Sequence, residues 1–218
     1  QDNHCVLFHF YLAAILFGML LLSSTLVYAA VSSVKTTKNI QYLKSLELEI
    51  NKDPYQVYQS LNQIMSGISV DNKLEILWFL LRKAQAENLL YFYDKFEQSV
   101  AQARNIVVPG VDSEIEARLL FFAGIIAQRE VHYADAIDLL TQAVSIAEKS
   151  GHKEIYIHAN REKAYTLSLM DKFENSLIDL QRVYVEAQQL NNQFLVATIN
   201  ESFGALYSYM NQYEKSIE

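Results

Sequence analysis

A three-part phrase recurs along this chain at one fixed offset, and that recurrence limits the fold more than any single residue does. Gly124, Ala164 and Gly204 stand 40 residues apart, as do Tyr133, Phe173 and Tyr213, and again Ala136, Ser176 and Ser216. The second junction matches best: Leu169-Met170-Asp171-Lys172-Phe173-Glu174-Asn175-Ser176-Leu177 aligns with Tyr209-Met210-Asn211-Gln212-Tyr213-Glu214-Lys215-Ser216-Ile217. A period of this length describes stacked supersecondary units, each unable to bury its apolar face alone, rather than one globular core.

The residue types say what the unit is. A small residue, an aromatic nine later and a second small residue three beyond that suit two antiparallel helices joined by a short turn. The small side chains let the axes approach to about 8 Å, and the ring fills the gap at the turn. Ala136, Leu139, Leu140, Ala143, Val144 and Ala147 then form one apolar stripe at helical period.

The order small, aromatic, small, apolar, Ala resembles the tetratricopeptide repeat. Gly124, Tyr133, Ala136, Leu140 and Ala143 carry the pattern, and Gly204, Tyr207, Tyr213 and Ser216 carry its first two-thirds. Leu120 and Asn160 stand where the repeat opens on Trp, the closing Pro is missing, and the period is 40 rather than about 34. Longer helices and a longer turn between units, Lys149 to Lys153, account for the difference. The resemblance covers Glu114 to Glu218 and, more faintly, Leu74 to Arg104, where Lys83-Ala84 echoes Lys163-Ala164 but Phe96 occupies a small-residue position.

The resemblance implies an all-α, right-handed solenoid of helical hairpins whose first helices line a concave groove. The groove positions, carried over, are Arg118, Phe121, Ile125 and Gln128 in one unit, His158, Arg161, Tyr165 and Ser168 in the next, and Thr198, Glu201, Ala205 and Ser208 in the third, with Arg129 at the edge. Such a groove would take a protein or peptide ligand, with Phe121, Ile125 and Tyr165 as an apolar floor and Arg118 and Arg161 receiving an acidic or C-terminal carboxylate. The competing reading is a solvated face whose charges only keep it soluble.

Other segments organise the rest. Val6 to Val31 is almost wholly apolar and ends in Val27-Tyr28-Ala29, so residues 1–30 read as a signal peptide, or as an uncleaved membrane anchor that Lys35 and Lys38 would orient. No Lys or Arg precedes Lys35 and the chain opens on Gln1, which suggests a start lying further upstream. Residues 36–110 read as divergent helical hairpins: a helix over Thr37–Asn51, Asp53-Pro54 as a cap and first position, a stop near Gly67, and further starts at Asn72 and at a Ser113-Glu114-Ile115-Glu116 capping box after Pro109-Gly110. Leu74 to Leu81 is apolar nearly all round, as in a helix buried between neighbours. Residues 111–218 hold the clear repeats, the last incomplete, so Ile199, Phe203, Leu206 and Met210 are expected to lie bare and the reading frame to continue.

Composition argues against most chemistry. With two prolines and six glycines there is nothing to build a Gly-rich phosphate cradle, and a single Cys5 allows neither a disulfide nor a thiolate metal site. A net charge of −7 spread along the chain offers no basic stripe for nucleic acid. His132, His152 and His158 read as solvated positions rather than metal ligands, and Glu114, Glu116, Asp171 and Glu174 as first-turn carboxylates rather than an acid–base pair. No enzyme, metal or cofactor is therefore expected. The leader-like segment, the helix-Asp-Pro-helix opening and the long repeats together resemble the periplasmic sensory half of membrane-bound bacterial diguanylate cyclases and sensor histidine kinases. That resemblance implies a binding module at the inner membrane facing the periplasm. The alternatives are a secreted or envelope assembly scaffold and a cytoplasmic peptide-responsive regulator held by an uncleaved anchor.

Overall fold

The computed structural model describes residues 38–68 and 71–210. The apolar segment of 1–30, Thr37, Tyr213 and Ser216 lie outside the described residues. Every regular element among those described is helical, and no helix among them is long and apolar enough to cross a membrane. The chain divides into two compact units between residues 45 and 46. In the first, 38–45 is helical and the Ser45 hydroxyl donates to the Tyr42 carbonyl at 2.8 Å.

The second unit begins at Leu46. Its elements are α1 (46–52), α2 (Pro54–Ile64) running into a 3-10 turn (Met65–Gly67), α3 (Lys73–Leu89), α4 (Tyr93–Ile106), α5 (Ser113–Arg129), α6 (Tyr133–Ser150), α7 (Lys153–Leu169), α8 (Phe173–Gln189) and α9 (Gln193–Tyr209). The 40-residue period is written into the backbone. Helices α3, α5, α7 and α9 are each 17 residues long and begin at 73, 113, 153 and 193. The left-handed residue that ends each first helix recurs at Tyr91, Val131 and Asp171, with φ of 60, 65 and 58°, and Gly151 and Asn191 play the same part after α6 and α8. Behind each, an amide reaches back into the last helical turn: Phe92 N donates to Glu87 O, His132 N to Ala127 O and Lys172 N to Leu167 O, at 2.8 to 2.9 Å. This Schellman-type closure satisfies carbonyls that the helix end would orphan. That a β-branched Val131 accepts positive φ shows the turn is imposed by the packing of both flanking helices rather than by its own preference.

The regularity reaches α3 and α4, where residue matching alone was faint. Phe96, in the small-residue position, is fully buried and meets Phe122 edge-on at 5.5 Å. Consecutive helices pack as hairpins, and the first helices also touch one another, α3 on α5, α5 on α7 and α7 on α9. Gly124 is a close approach of α5 to α6: a Cβ there would lie 2.6 Å from Leu140 Cγ and 3.5 Å from the Ala136 carbonyl oxygen. Ala136, Ala164 and Ser176 are fully buried, Tyr133 and Phe173 are half-buried at the turns, and Gly204 is half-buried.

Some boundaries differ from the sequence reading, each for a local reason. The residues beyond the consensus length sit in the helices: α6 runs to Ser150 and only Gly151 and His152 separate it from α7, because Gly151 closes the helix with φ 77°. The cap of α5 is Asp112, whose carboxylate accepts from Glu114 N at 2.8 Å, while Ser113 Oγ lies 3.3 Å from His152 Nε2. Ile199 and Leu206, expected bare, are buried, and Phe203 packs between Tyr184 and Tyr207. The caps at Asp53 and Asn72 form as read, accepting from Gln56 N and Glu75 N.

Candidate functional site

The periodic register makes columns of residues across the first helices, and two neighbouring regions result. The first is an open cleft of about 470 Å³, whose walls come from the last turn of α3, from Tyr91 and Tyr93, and from α5, α7 and α9. Ile125, Tyr165 and Ala205 form one column along it, and Arg161 and Glu201 lie in the column four residues earlier. Gln128 closes one wall, its amide donating to Thr166 Oγ1 at 2.7 Å. The Arg129 guanidinium stands 3.4 Å above the Tyr93 ring and pairs with Glu97 at 3.4 Å. Arg161 pairs with its neighbour Glu162 while its Nε is buried with no acceptor. The Tyr165 phenol is pushed up to about 12, first by a hydrogen bond with Tyr209 and then by burial, so it stays a neutral donor or acceptor.

The second region lies toward the N-terminal ends of the same helices and is closed. Trp78, Arg118 and His158 occupy one column at the 40-residue spacing, and Glu114 and Glu154 another. Into them α1 inserts Glu47. Glu47 Oε2 accepts from Arg118 Nη2 at 2.6 Å and from Arg82 Nη2 at 3.2 Å. Both guanidiniums also stand over the Trp78 ring, at 5.4 and 5.8 Å, and Arg118 makes a second pair with Glu114 at 3.0 Å. Burial works against the Glu47 carboxylate, yet the charges of Arg118 and Arg82 outweigh it and hold that group well below the usual carboxylate range. Burial and the like charge of Arg118 bring Arg82 down to about 10. For Arg118, Glu47 and Glu114 overcome burial and raise it. Glu154 is pushed up to about 7 by burial and then by the adjacent Glu47. Glu47 Oε1 is buried and takes neither guanidinium.

The expected groove residues therefore divide. Ile125, Gln128, Arg129, Arg161, Tyr165, Glu201 and Ala205 share the cleft. Arg118, expected as a solvent-facing cation, is 3% exposed and already holds two carboxylates, because α1 covers its column. Phe121 is buried, with its ring 6.2 Å from that of His158. His158 is half-buried rather than solvated, and is brought down to about 4 by burial and then by Arg161, which keeps it neutral near pH 7. Ser168 belongs to the α7–α8 contact, its hydroxyl 2.8 Å from that of Ser176. Thr198 is half-buried and Ser208 exposed, neither at the cleft lining. Sequence reasoning missed Glu47, Arg82 and Glu154. The 40-residue offset from Glu114 could have found Glu154, but nothing periodic points to α1.

That offset also brings Asp112 and His152 together. With Glu114 they offer ligand atoms within 4.8 Å of one another, and His152 is half-buried there. One Glu114 oxygen in that trio is taken by Arg118. A further cleft of about 520 Å³ lies off these columns, between the α4–α5 connection and the faces of α5 and α6, lined by Arg104, Val108, Glu116 and Leu139 among others.

No family model matches this chain, and no curated protein matches it. Among solved structures the chain is similar to BtubC (BKLC) from P. vanneervenii, at 14% identity over 84% of this chain and 70% of that one, with a TM-score of 0.49.

Proposed function

We propose that the chain is a non-catalytic, tetratricopeptide-like binding module, a right-handed solenoid of helical hairpins whose open cleft takes an acidic segment or C-terminal carboxylate of a protein partner. One observation carries the reading: Ile125, Arg161, Tyr165, Glu201 and Ala205, set one period apart in three successive first helices, meet around a single cleft. That is the geometry of a surface that reads an extended chain, with an apolar floor from Ile125 and Tyr165 and cations at its edges. Arg161 is the anchor, since it lines the cleft one helical turn before Tyr165 and its guanidinium suits a carboxylate.

With the leader-like residues 1–30, this module is best suited to sensing in a bacterial envelope signalling protein of the diguanylate cyclase or histidine kinase kind, facing the periplasm. An envelope assembly scaffold and a cytoplasmic regulator on an uncleaved anchor are the other two readings. Binding is tested with a pool of random heptapeptides bearing free C-terminal carboxylates, against the same pool amidated. Retention of the free-acid pool by the wild type, and its loss in Arg161→Gln, supports the reading. Equal retention of both pools by both proteins overturns it.

A further inference from the structure

The open cleft and the closed charge cluster belong to one continuous face. Phe121 and His158 lie between them, Arg161 on the cleft side and Arg118 on the other. On the closed side, the two arginines over Trp78 form a carboxylate clamp, and the carboxylate in it comes from the chain itself. We propose that Glu47 is an internal ligand: α1 lays its carboxylate into an Arg82–Arg118 site that accepts an acidic side chain or C-terminus of the partner peptide, so that partner binding and docking of α1 compete. The chemistry of that ligand rests on the cleft being a groove for acidic peptides.

The fit of Glu47 is what argues for an occupant rather than a permanent strut. A carboxylate bound to two guanidiniums can share both oxygens between them, with bidentate geometry. Here one oxygen takes both arginines, at 2.6 and 3.2 Å, while the other takes neither, and Glu154 brings a second carboxyl group to the site. The clamp thus holds its occupant through one oxygen and leaves the other off both guanidiniums. An incoming carboxylate that engaged both oxygens would exchange one buried pair for a better one and leave no arginine bare. Glu47 gains from being tethered, since an intramolecular ligand competes at high effective concentration. Removing it should raise apparent affinity by the factor with which it held the site, as for any partner that must first displace a competitor.

The test uses the full chain and fluorescein-labelled hexaglutamate with a free C-terminus. Glu47→Gln should bind this probe about tenfold more tightly than wild type, and Arg118→Gln added to it should remove the gain. Wild-type protein saturated with the probe should show faster amide hydrogen exchange in residues 46–52, a readout that holds even if Glu47→Gln folds poorly. Unchanged exchange in 46–52 together with equal affinities for wild type and Glu47→Gln would overturn the internal-ligand proposal. If that binding is lost in Arg161→Gln, the cleft reading survives. Binding by Glu47→Gln alone, abolished by Arg118→Gln, would sustain the internal ligand and remove the cleft as the primary site. No binding by any variant overturns both.

Discussion

The two halves of the first-helix face are built from the same repeat and differ in one respect: the N-terminal half is covered by α1 and the C-terminal half is not. In the covered half the arginines pair with carboxylates at short range, with Glu47 between Arg82 and Arg118, and Glu114 on Arg118. In the open half the cations lean on aromatic rings or near neighbours, Arg129 on Tyr93 and Arg161 on Glu162. The difference teaches that a repeat sets where side chains stand along a face but not which dielectric they meet. Cover from a non-repeating segment decides that, and with it whether an arginine is a structural partner or a surface cation.

The largest expected effect tests this contrast directly. Arg118→Met leaves Glu47 and Glu114 short of a partner in a buried setting, which costs about 3–5 kcal/mol. Arg161→Met, in the cleft, should cost about 1 kcal/mol or less. Urea unfolding of the two variants compares them. Similar midpoints would mean that α1 does not seal the cluster as described.

Next in size is the contact beneath both halves. Gly124 has no room for a side chain, since its Cβ would meet Leu140 within clash distance. Gly124→Leu should therefore destabilise by about 1–3 kcal/mol, while exposed Asp138→Asn stays within about 0.5 kcal/mol. If thermal unfolding gave both variants the wild-type midpoint, the helix register would be misassigned.

This register is the part of the molecule that was legible in the sequence. Gly124, Ala136, Ala164 and Ser176 are spaced by the period because steric contact between paired helices repeats with the pair, and the cleft residues inherit the same spacing. Ser168 was misplaced because a short hydroxyl one turn from the hairpin end can reach across to Ser176. Arg118 was misplaced because nothing in its own repeat encodes Glu47, 71 positions away. The Asp112 cap replaced the Ser113 capping box since a carboxylate one residue earlier reaches Glu114 N.

A subtler difference between the halves is their response to pH. In the covered half Glu154 faces Glu47 from α1, Arg82 from α3, Arg118 from α5 and, on its own helix, lies near His158. Its carboxyl moves from the ordinary 4.5 to about 7 on folding, so the folded state holds a proton there that the unfolded chain has already lost. Stability from this group is unaffected below about pH 4.5 and falls as pH rises toward 7. Glu47 has the opposite sign, contributing above the ordinary carboxylate range and weakening only in acid. Glu154→Gln should remove the decline between pH 4.5 and 7 while leaving the acid limb intact. Parallel melting-temperature profiles for wild type and variant across that interval would show that Glu154 titrates as a solvated acid.

The smallest expected effect lies in the open half. Arg129 stands over Tyr93 at 3.4 Å and pairs with Glu97, yet 28% of its side chain and 42% of that of Glu97 remain exposed. Water and salt screen the ion pair, so it contributes little, and the contact with the ring face adds about 0.5–1 kcal/mol at an exposed site. Arg129→Gln should thus lower stability by no more than about 1 kcal/mol, and raising the salt concentration should barely change the difference, because the ring contact and not the ion pair dominates it. Arg129→Lys should recover part of the loss, as an ammonium also sits over a ring but cannot stack flat on it. Urea unfolding at low and high salt measures all three proteins. A loss for Arg129→Gln as large as that for Arg118→Met would make the cleft edge as tightly built as the covered cluster, and the contrast between the two halves would fail at its exposed end.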